Sequence, residues 1–300
     1  MPTPSPSPPL ATTMPTSPDS SSISNRINLA TRQQHTELNR LIVQRLPLAL
    51  PPYQPSPLLF SKGIVPFARI FILFEIEWDL LVRHAQRLDP ADLSHDAEVR
   101  RWLASLRPEG LARSERLKND LRHLRDIAGS KICNAPSVGE AWVKEIRART
   151  RQNPEVLVAF AWVFYMATFA GGRWIRRQLA HRGADFWTGQ SGGTGNLEKG
   201  EESALLHLPG FTFLSFPGHD DGEDLKTAFK ARLAEGDTLL TESEKEEILD
   251  VSRQIFDKCI GLVNDLDRMV WRAQIFNRVL PALGLVSILL VYLAMRYSLR

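Results

Sequence analysis

Cysteine is scarce in this 300-residue chain, where only Cys133 and Cys259 occur. They form no CxxC or Cys/His spacing, which excludes a disulfide-stabilised scaffold and a zinc ribbon and is typical of a reducing compartment. Charge of one sign is also lacking. The net charge of +3 is small and the basic residues are spread along the chain, so the sequence gives no indication of nucleic-acid binding. No Walker loop, GxSxG elbow or HExxH motif occurs, which leaves the common phosphate, hydrolase and zinc-protease signatures unrepresented.

Strand-like alternation is missing too, whereas apolar residues at helical spacing recur along the chain. A helix is expected from Ser24 through Arg45, and a dense apolar stripe marks another over residues 70–88. Thr241 and Glu244 form a capping box that opens a long amphipathic helix. We therefore predict an all-α fold of about seven or eight helices.

The two ends of the chain differ from its middle. Of the first 22 residues, 17 are Pro, Ser or Thr, a composition that predicts a disordered tail rather than a secretory signal. Residues 279–295 carry no charge and lie between Arg278 and Arg296. At 1.5 Å per residue they span roughly 25 Å, enough for a thin bilayer. They predict a transmembrane tail anchor that leaves the N-terminal domain cytosolic, and the alternative is a buried C-terminal helix.

Residues 156–172 are a second run without charge, rich in Ala and aromatic residues. Because this run leads directly into three arginines, we interpret it as a buried core helix rather than a second span. The predicted domain division is a tail (1–22), a helical domain (23–268), a spacer (269–278), the anchor (279–295) and a short C-terminal tail (296–300).

Two adjacent glycines, Gly171 and Gly172, interrupt the predicted helix from Tyr165 to Leu179. Glycine inside a helix costs roughly 1 kcal/mol relative to alanine. A common reason for its presence is close approach of the backbone to a flat ligand or to another backbone. This pattern therefore suggests a plate-like cofactor held between two helices.

His35 shares a helix face with Thr31, Leu38 and Ile42, so its imidazole is expected to point inward. A buried, neutral imidazole is a good axial ligand for heme iron. The alternative is a core histidine that is hydrogen-bonded to a carbonyl group.

Lys226 and Lys230 lie four residues apart on one helix stripe beside Phe229 and Leu233. Their like charges repel slightly, which an anionic partner at the edge of an apolar ligand would relieve. The alternative is a solvated basic face. Three arginines follow the glycine pair: Arg173, Arg176 and Arg177. They are either contacts to a ligand or partner or plain surface charge. The acidic pairs Glu75/Glu77 and Asp220/Asp221 receive no role.

These motifs, in this order, resemble the heme oxygenase family over roughly residues 25–268, and a tail anchor recurs in its membrane-bound members. The chain looks like a divergent, fungal-like, membrane-anchored member. Its A-T-x-x-x-H core, residues 30–35, resembles the proximal helix of the family, and residues 165–177 align with the distal helix without a gap. The resemblance implies a heme oxygenase-like multi-helical bundle with a C-terminal transmembrane helix.

The resemblance assigns His35 as axial ligand of heme b iron, and it assigns catalytic roles to Thr168 and Gly172. The cofactor-binding residues that it implies are His35, Tyr165, Gly171, Gly172, Lys226 and Lys230. One departure matters most, because the distal aspartate of the family is Thr168 here. The threonine hydroxyl can hold a water molecule but brings no negative charge.

The function that the resemblance implies is oxidative opening of heme to biliverdin, carbon monoxide and iron. The electrons would come from NADPH through the membrane-bound NADPH–cytochrome P450 reductase. The anchor would insert into the endoplasmic reticulum, with the mitochondrial outer membrane as an alternative. Two other functions remain open: a heme-binding sensor or carrier that has lost turnover, and a tail-anchored helical scaffold without a cofactor.

Overall fold

The computed structural model describes residues 22–129, 138–189, 205–218 and 220–298, and it describes the side chains of the last helix only through residue 274. Every regular element in these ranges is helical, which confirms the all-α prediction. The helices are α1 (Ile23–Ala30), α2 (Arg32–Arg45), α3 (Leu58–Ala85), α4 (His95–Leu106), α5 (Ser114–Ala128), α6 (Glu140–Gln152), α7 (Leu157–Phe169), α8 (Gly171–Ala180), α9 (Ala184–Thr188), α10 (Glu223–Glu235) and α11 (Glu242–Ser298). The predicted tail, residues 1–22, lies outside the described residues except for Ser22.

Helix α7 is the centre of the core. Every side chain from Leu157 to Tyr165 is buried, so this helix has no solvent face over that stretch. It packs against α3, α8 and α11, and its aromatic rings meet those of Phe71 and Phe74 on α3. Burial of each such ring contributes roughly 1.5–3 kcal/mol. The prediction that the uncharged run is a core helix is therefore confirmed.

The glycine pair does not lie inside one continuous helix as predicted. The helix ends at Phe169, Ala170 has φ −92° and ψ −74°, and α8 begins at Gly171. The two helices meet at 44°. Glycine pairs are common sites of sharp helix bends, because they lack the side chain that would stiffen the turn.

Helix α11 begins with the predicted capping box. The Glu244 carboxylate accepts from the Thr241 N–H at 2.7 Å, and the Glu244 N–H donates to the Thr241 hydroxyl at 3.3 Å. The helix then continues to Ser298, so the predicted spacer (269–278) is part of it. The predicted anchor (279–295) lies outside the residues whose side chains are described. Over the fully described part of the chain, no single helix is both long and apolar enough to cross a membrane, although residues 154–169 and 171–180 meet the criteria as a bent pair.

Candidate functional site

His35 lies one turn after a break between α1 and α2. The break is at Thr31, which has φ −112° and ψ 6° and whose hydroxyl donates to the Ile27 carbonyl at 2.8 Å. The predicted single helix from Ser24 to Arg45 is thus two helices, and it begins at Ile23.

The His35 side chain is exposed, which corrects the prediction that its imidazole points into the core. Its ring meets Phe256 of α11 edge-on, with 5.9 Å between the ring centroids. Partial burial against this surface lowers the pKa of His35, so the ring is neutral at pH 7. No residue in the described ranges hydrogen-bonds to either ring nitrogen, so the alternative of a histidine bonded to a carbonyl is not what the structure has. A neutral imidazole with a free lone pair can bind a metal ion.

The two glycines have opposite surroundings. Gly171 is exposed, and apart from its own helix a Cβ atom added there would meet no atom of the described residues within 4 Å. Gly172 is buried, and a Cβ atom added there would lie 3.2 Å from Cδ2 of Leu214. Gly171, with the exposed Ala167 and Ala170, forms a surface of small residues that we call the small-residue face. Gly172 instead lets α8 approach the turn at Thr212–Leu214, and its assignment to the ligand site stays a prediction.

Tyr165 and Thr168 lie on the inner side of α7. Tyr165 has no exposed surface, and its hydroxyl donates to Glu75 at 2.8 Å. Thr168 is 4% exposed, and its hydroxyl donates to the carbonyl of Phe164 at 2.9 Å. Both side chains therefore have their hydroxyl groups bonded within the protein, and the contact of Tyr165 with a cofactor stays a prediction. The only proton of the Thr168 hydroxyl is engaged within its own helix, although its oxygen can still accept a bond.

Glu75 is a buried carboxylate whose part in the site was not predicted. Besides the Tyr165 hydroxyl, it accepts from the backbone N–H groups of Arg113 and Ser114 at 2.8 Å each, so it caps the start of α5. Burial lowers the pKa of the adjacent Arg113 to about 10, and the nearby Arg116 adds to the shift. A carboxylate on the same helical stripe as Phe71 and Trp78 was the signal that it would be buried and therefore need partners.

The two lysines lie on α10 at the edge of this region. The Lys226 ammonium is 3.2 Å from Glu223, whereas the Lys230 ammonium lies 5.9 Å from the ring centroid of Trp162. Burial, together with the charge of Lys226, lowers the pKa of Lys230. The indole N–H of Trp162 donates to the Asn28 side chain at 2.9 Å. The part of α10 that carries the two lysines therefore adjoins α7 and, through Trp162, the helix α1 that precedes His35.

The arginines after the glycine pair divide into two kinds. Arg173 pairs with Glu223 at 2.6 Å, and Arg176, which is buried, pairs with Asp221. Both tie α8 to the beginning of α10, so they position the lysine helix. Arg177 is exposed.

Helix α11 connects the parts of the site, because it packs against α2, through Phe256 among others, and against α7. The donor set fits a heme group: a neutral imidazole for the iron, a face of small residues with open space above Gly171 for the flat ring, and ammonium groups for its carboxylates. Among the described residues, no cluster of His, Cys, Asp and Glu could hold a free metal ion.

Comparisons with known proteins agree with this chemistry. The family model for heme oxygenase matches residues 92–265. The heme-binding protein HMX1 of Saccharomyces cerevisiae is 24% identical over 270 residues, which cover 86% of this chain and 79% of that protein. Heme oxygenase 2 of Macaca fascicularis is 24% identical over 165 residues, which cover 54% of this chain and 44% of that protein.

Two solved structures share the fold. The heme oxygenase 2 of Chlamydomonas reinhardtii without heme has a TM-score of 0.57 at 17% identity and covers 81% of this chain and 96% of that chain. The heme oxygenase-1 of Synechocystis sp. PCC6803 in complex with heme has a TM-score of 0.54 at 17% identity and covers 86% and 99%. At this identity the likeness concerns the fold alone, whereas the family model covers more than half of the sequence. This chain belongs to the heme oxygenase family.

Proposed function

We propose that this protein binds heme through His35 and opens the porphyrin ring to biliverdin, carbon monoxide and iron. The observation that carries the proposal is the His35 imidazole, which is neutral, partly desolvated and free of hydrogen bonds from the described residues. Heme, which is both cofactor and substrate, would supply the iron and the oxidation chemistry.

The residues of this chain would bind and orient the substrate. His35 would hold the iron, with Phe256 limiting the rotation of its ring. The small-residue face at Ala167, Ala170 and Gly171 would lie against the porphyrin, because none of these residues has a side chain longer than a methyl group. Lys226 and Lys230 would pair with the propionates, which fixes the rotation of the ring in the site.

Thr168 limits how far turnover follows from binding. Its hydroxyl oxygen would accept a hydrogen bond from a water molecule that delivers protons. It supplies no negative charge to orient that water, and its proton is bonded to Phe164. This observation favours the second candidate, a heme-binding sensor or carrier without turnover.

The C-terminal residues would attach the domain to a membrane. The uncharged residues 279–295 and the helical backbone of α11 to Ser298 support a tail anchor. An anchor in the endoplasmic reticulum would hold the domain on the same surface as the NADPH–cytochrome P450 reductase, which raises the effective concentration of the electron donor.

Heme titration followed by turnover tests the proposal. We expect a Soret band at one heme per chain, and we expect it to decay with release of carbon monoxide when reductase and NADPH are added. A stable Soret band under the same conditions would support the sensor or carrier and contradict the enzyme. Thr168→Asp restores the acid, so a rise in turnover without a change in heme affinity would assign the deficit to this position.

A further inference from the structure

A cavity of about 260 Å³ opens at the other end of α7 from the small-residue face. Three elements enclose it: the start of α4, the turn between α6 and α7, and the start of α11. Glu155 lies twelve residues before Ala167, which is about 18 Å along a helix. The cavity is therefore separate from the candidate heme site. Its polar lining includes His95, Asp96, Asn153, Glu155, Glu244 and Glu247.

Most of the carboxylates around the cavity have partners. Asp96 pairs with Arg100 at 2.7 Å, and Glu247 pairs with Arg149 at 2.7 Å. Glu244 accepts from the Thr241 backbone and lies 2.8 Å from the His95 ring. Hydrogen bonds from Thr241 and His95 lower the pKa of Glu244 against the opposing effect of burial.

Glu155 is the exception. It is 5% exposed, and no side chain in the described ranges forms a hydrogen bond or an ion pair with its carboxylate. The charges nearest to it are those of Glu244 and Glu247, opposed only by Arg100. Burial, reinforced by these two carboxylates, raises the pKa of Glu155 to about 7. A buried carboxylate that faces like charges is unfavourable unless it takes up a proton or a cation offsets its charge.

We propose that this cavity binds a small alkylguanidinium cation on the carboxylate of Glu155. A bare metal ion fits less well, because no three ligand-type side chains converge in the described part of the chain and the volume far exceeds that of one ion. The planar N–H fork of a guanidinium matches a carboxylate in a bidentate pair. Its remaining N–H groups can donate to the side-chain oxygens of Asn153 and Glu244, which also line the cavity.

Isothermal titration of the full-length protein with methylguanidine at about pH 8 tests this proposal, with magnesium and manganese chloride titrated in parallel. We expect saturable one-to-one binding that weakens at least tenfold in Glu155→Gln. The matched control Glu98→Gln removes the same charge from the exposed side of α4 and should bind like wild type. No saturable binding, equal binding to Glu155→Gln, or Glu155-dependent binding of the divalent ions instead would each overturn the proposal.

Thermal unfolding against pH gives a second readout that does not depend on ligand affinity. Because the folded-state pKa of Glu155 is raised, its contribution to stability is present at low pH and is lost as the pH rises through about 7. Asp96, His95, Glu244 and Glu247 also line the cavity, so the informative quantity is the difference in stability between variants. Wild type should lose more stability between about pH 5 and 8 than Glu155→Gln, and methylguanidine should raise the wild-type midpoint at the higher pH. Equal pH profiles, or no such rise, would contradict the proposal.

Discussion

Helix α2 and the α7–α8 bend contribute to the candidate site in opposite ways. Helix α2 offers a side chain, because the His35 imidazole stands exposed against Phe256. The bend leaves open space, because apart from its own helix no atom of the described residues lies within 4 Å of a Cβ atom added at Gly171. One helix therefore supplies chemistry and the other supplies space. We therefore expect heme binding to weaken when the His35 side chain is removed from α2, and when a side chain is added at Gly171 in the bend.

The largest effect is expected from His35→Ala, which removes the proposed iron ligand. Loss of a partner behind a metal ligand typically costs about 10–100-fold in affinity, and loss of the ligand itself should exceed that. Heme titration followed at the Soret band measures it. His84→Ala, at an exposed histidine of α3, is the control and should bind heme like wild type.

Gly171→Leu should weaken heme binding roughly tenfold, about 1.4 kcal/mol, because the added side chain would fill the space above the small-residue face. Gly171→Ala is the graded control and should have a smaller effect. The fold should tolerate both, since apart from its own helix no atom of the described residues lies within 4 Å of a Cβ atom added at Gly171. Unchanged affinity in Gly171→Leu would mean that this face is not in contact with the heme.

Gly172→Ala should change stability rather than heme affinity. Overpacking against Leu214 typically costs about 1–3 kcal/mol, and the better helix propensity of alanine offsets about 1 kcal/mol of that. Urea denaturation measures the net loss, which we expect at about 0–2 kcal/mol. A large loss of heme affinity with unchanged stability would reverse the roles that the structure gives the two glycines.

Lys226→Ala and Lys230→Ala should each weaken heme binding by a few-fold, because exposed ion pairs contribute about 0.2–1 kcal/mol. The effects should shrink as salt is added. If heme dimethyl ester, which lacks the propionate charges, were equally sensitive to these variants, the lysines would not be paired with the propionates.

Protonation of His35 should have the smallest effect on heme affinity at neutral pH. The pKa of His35 is lowered from about 6.5, so heme affinity should be level above that pH and should fall only at lower pH, where the imidazolium has no lone pair for iron. Titrations between about pH 5 and 8 measure this. A fall in affinity that begins near pH 8 would assign the dependence to another group.

Local features were predictable from the sequence, whereas features made by distant contacts were not. The burial of α7 and the capping box at Thr241 follow from composition and spacing, so both predictions are confirmed. The different surroundings of Gly171 and Gly172 depend on Leu214, which is more than 40 residues away. The cap that Glu75 provides to α5 depends on contacts 38 and 39 residues away, which periodicity on one helix cannot reveal.

The exposure of His35 could not be predicted for a related reason. Its helical neighbours are partly buried, and an inward imidazole follows from their spacing only if the helix is straight. Thr31 interrupts the helix before His35, and Phe256 of α11, more than 200 residues away, contacts the ring. The identity of the candidate ligand was therefore accessible from the sequence, but its environment was not.

The most direct test of the central claim is imidazole rescue of His35→Ala. The variant should bind heme weakly and with an altered Soret band, and added imidazole should restore the wild-type spectrum by occupying the position of the missing ring. A variant that binds heme with the wild-type spectrum before imidazole is added would show that another residue holds the iron, and the account of the site would be wrong.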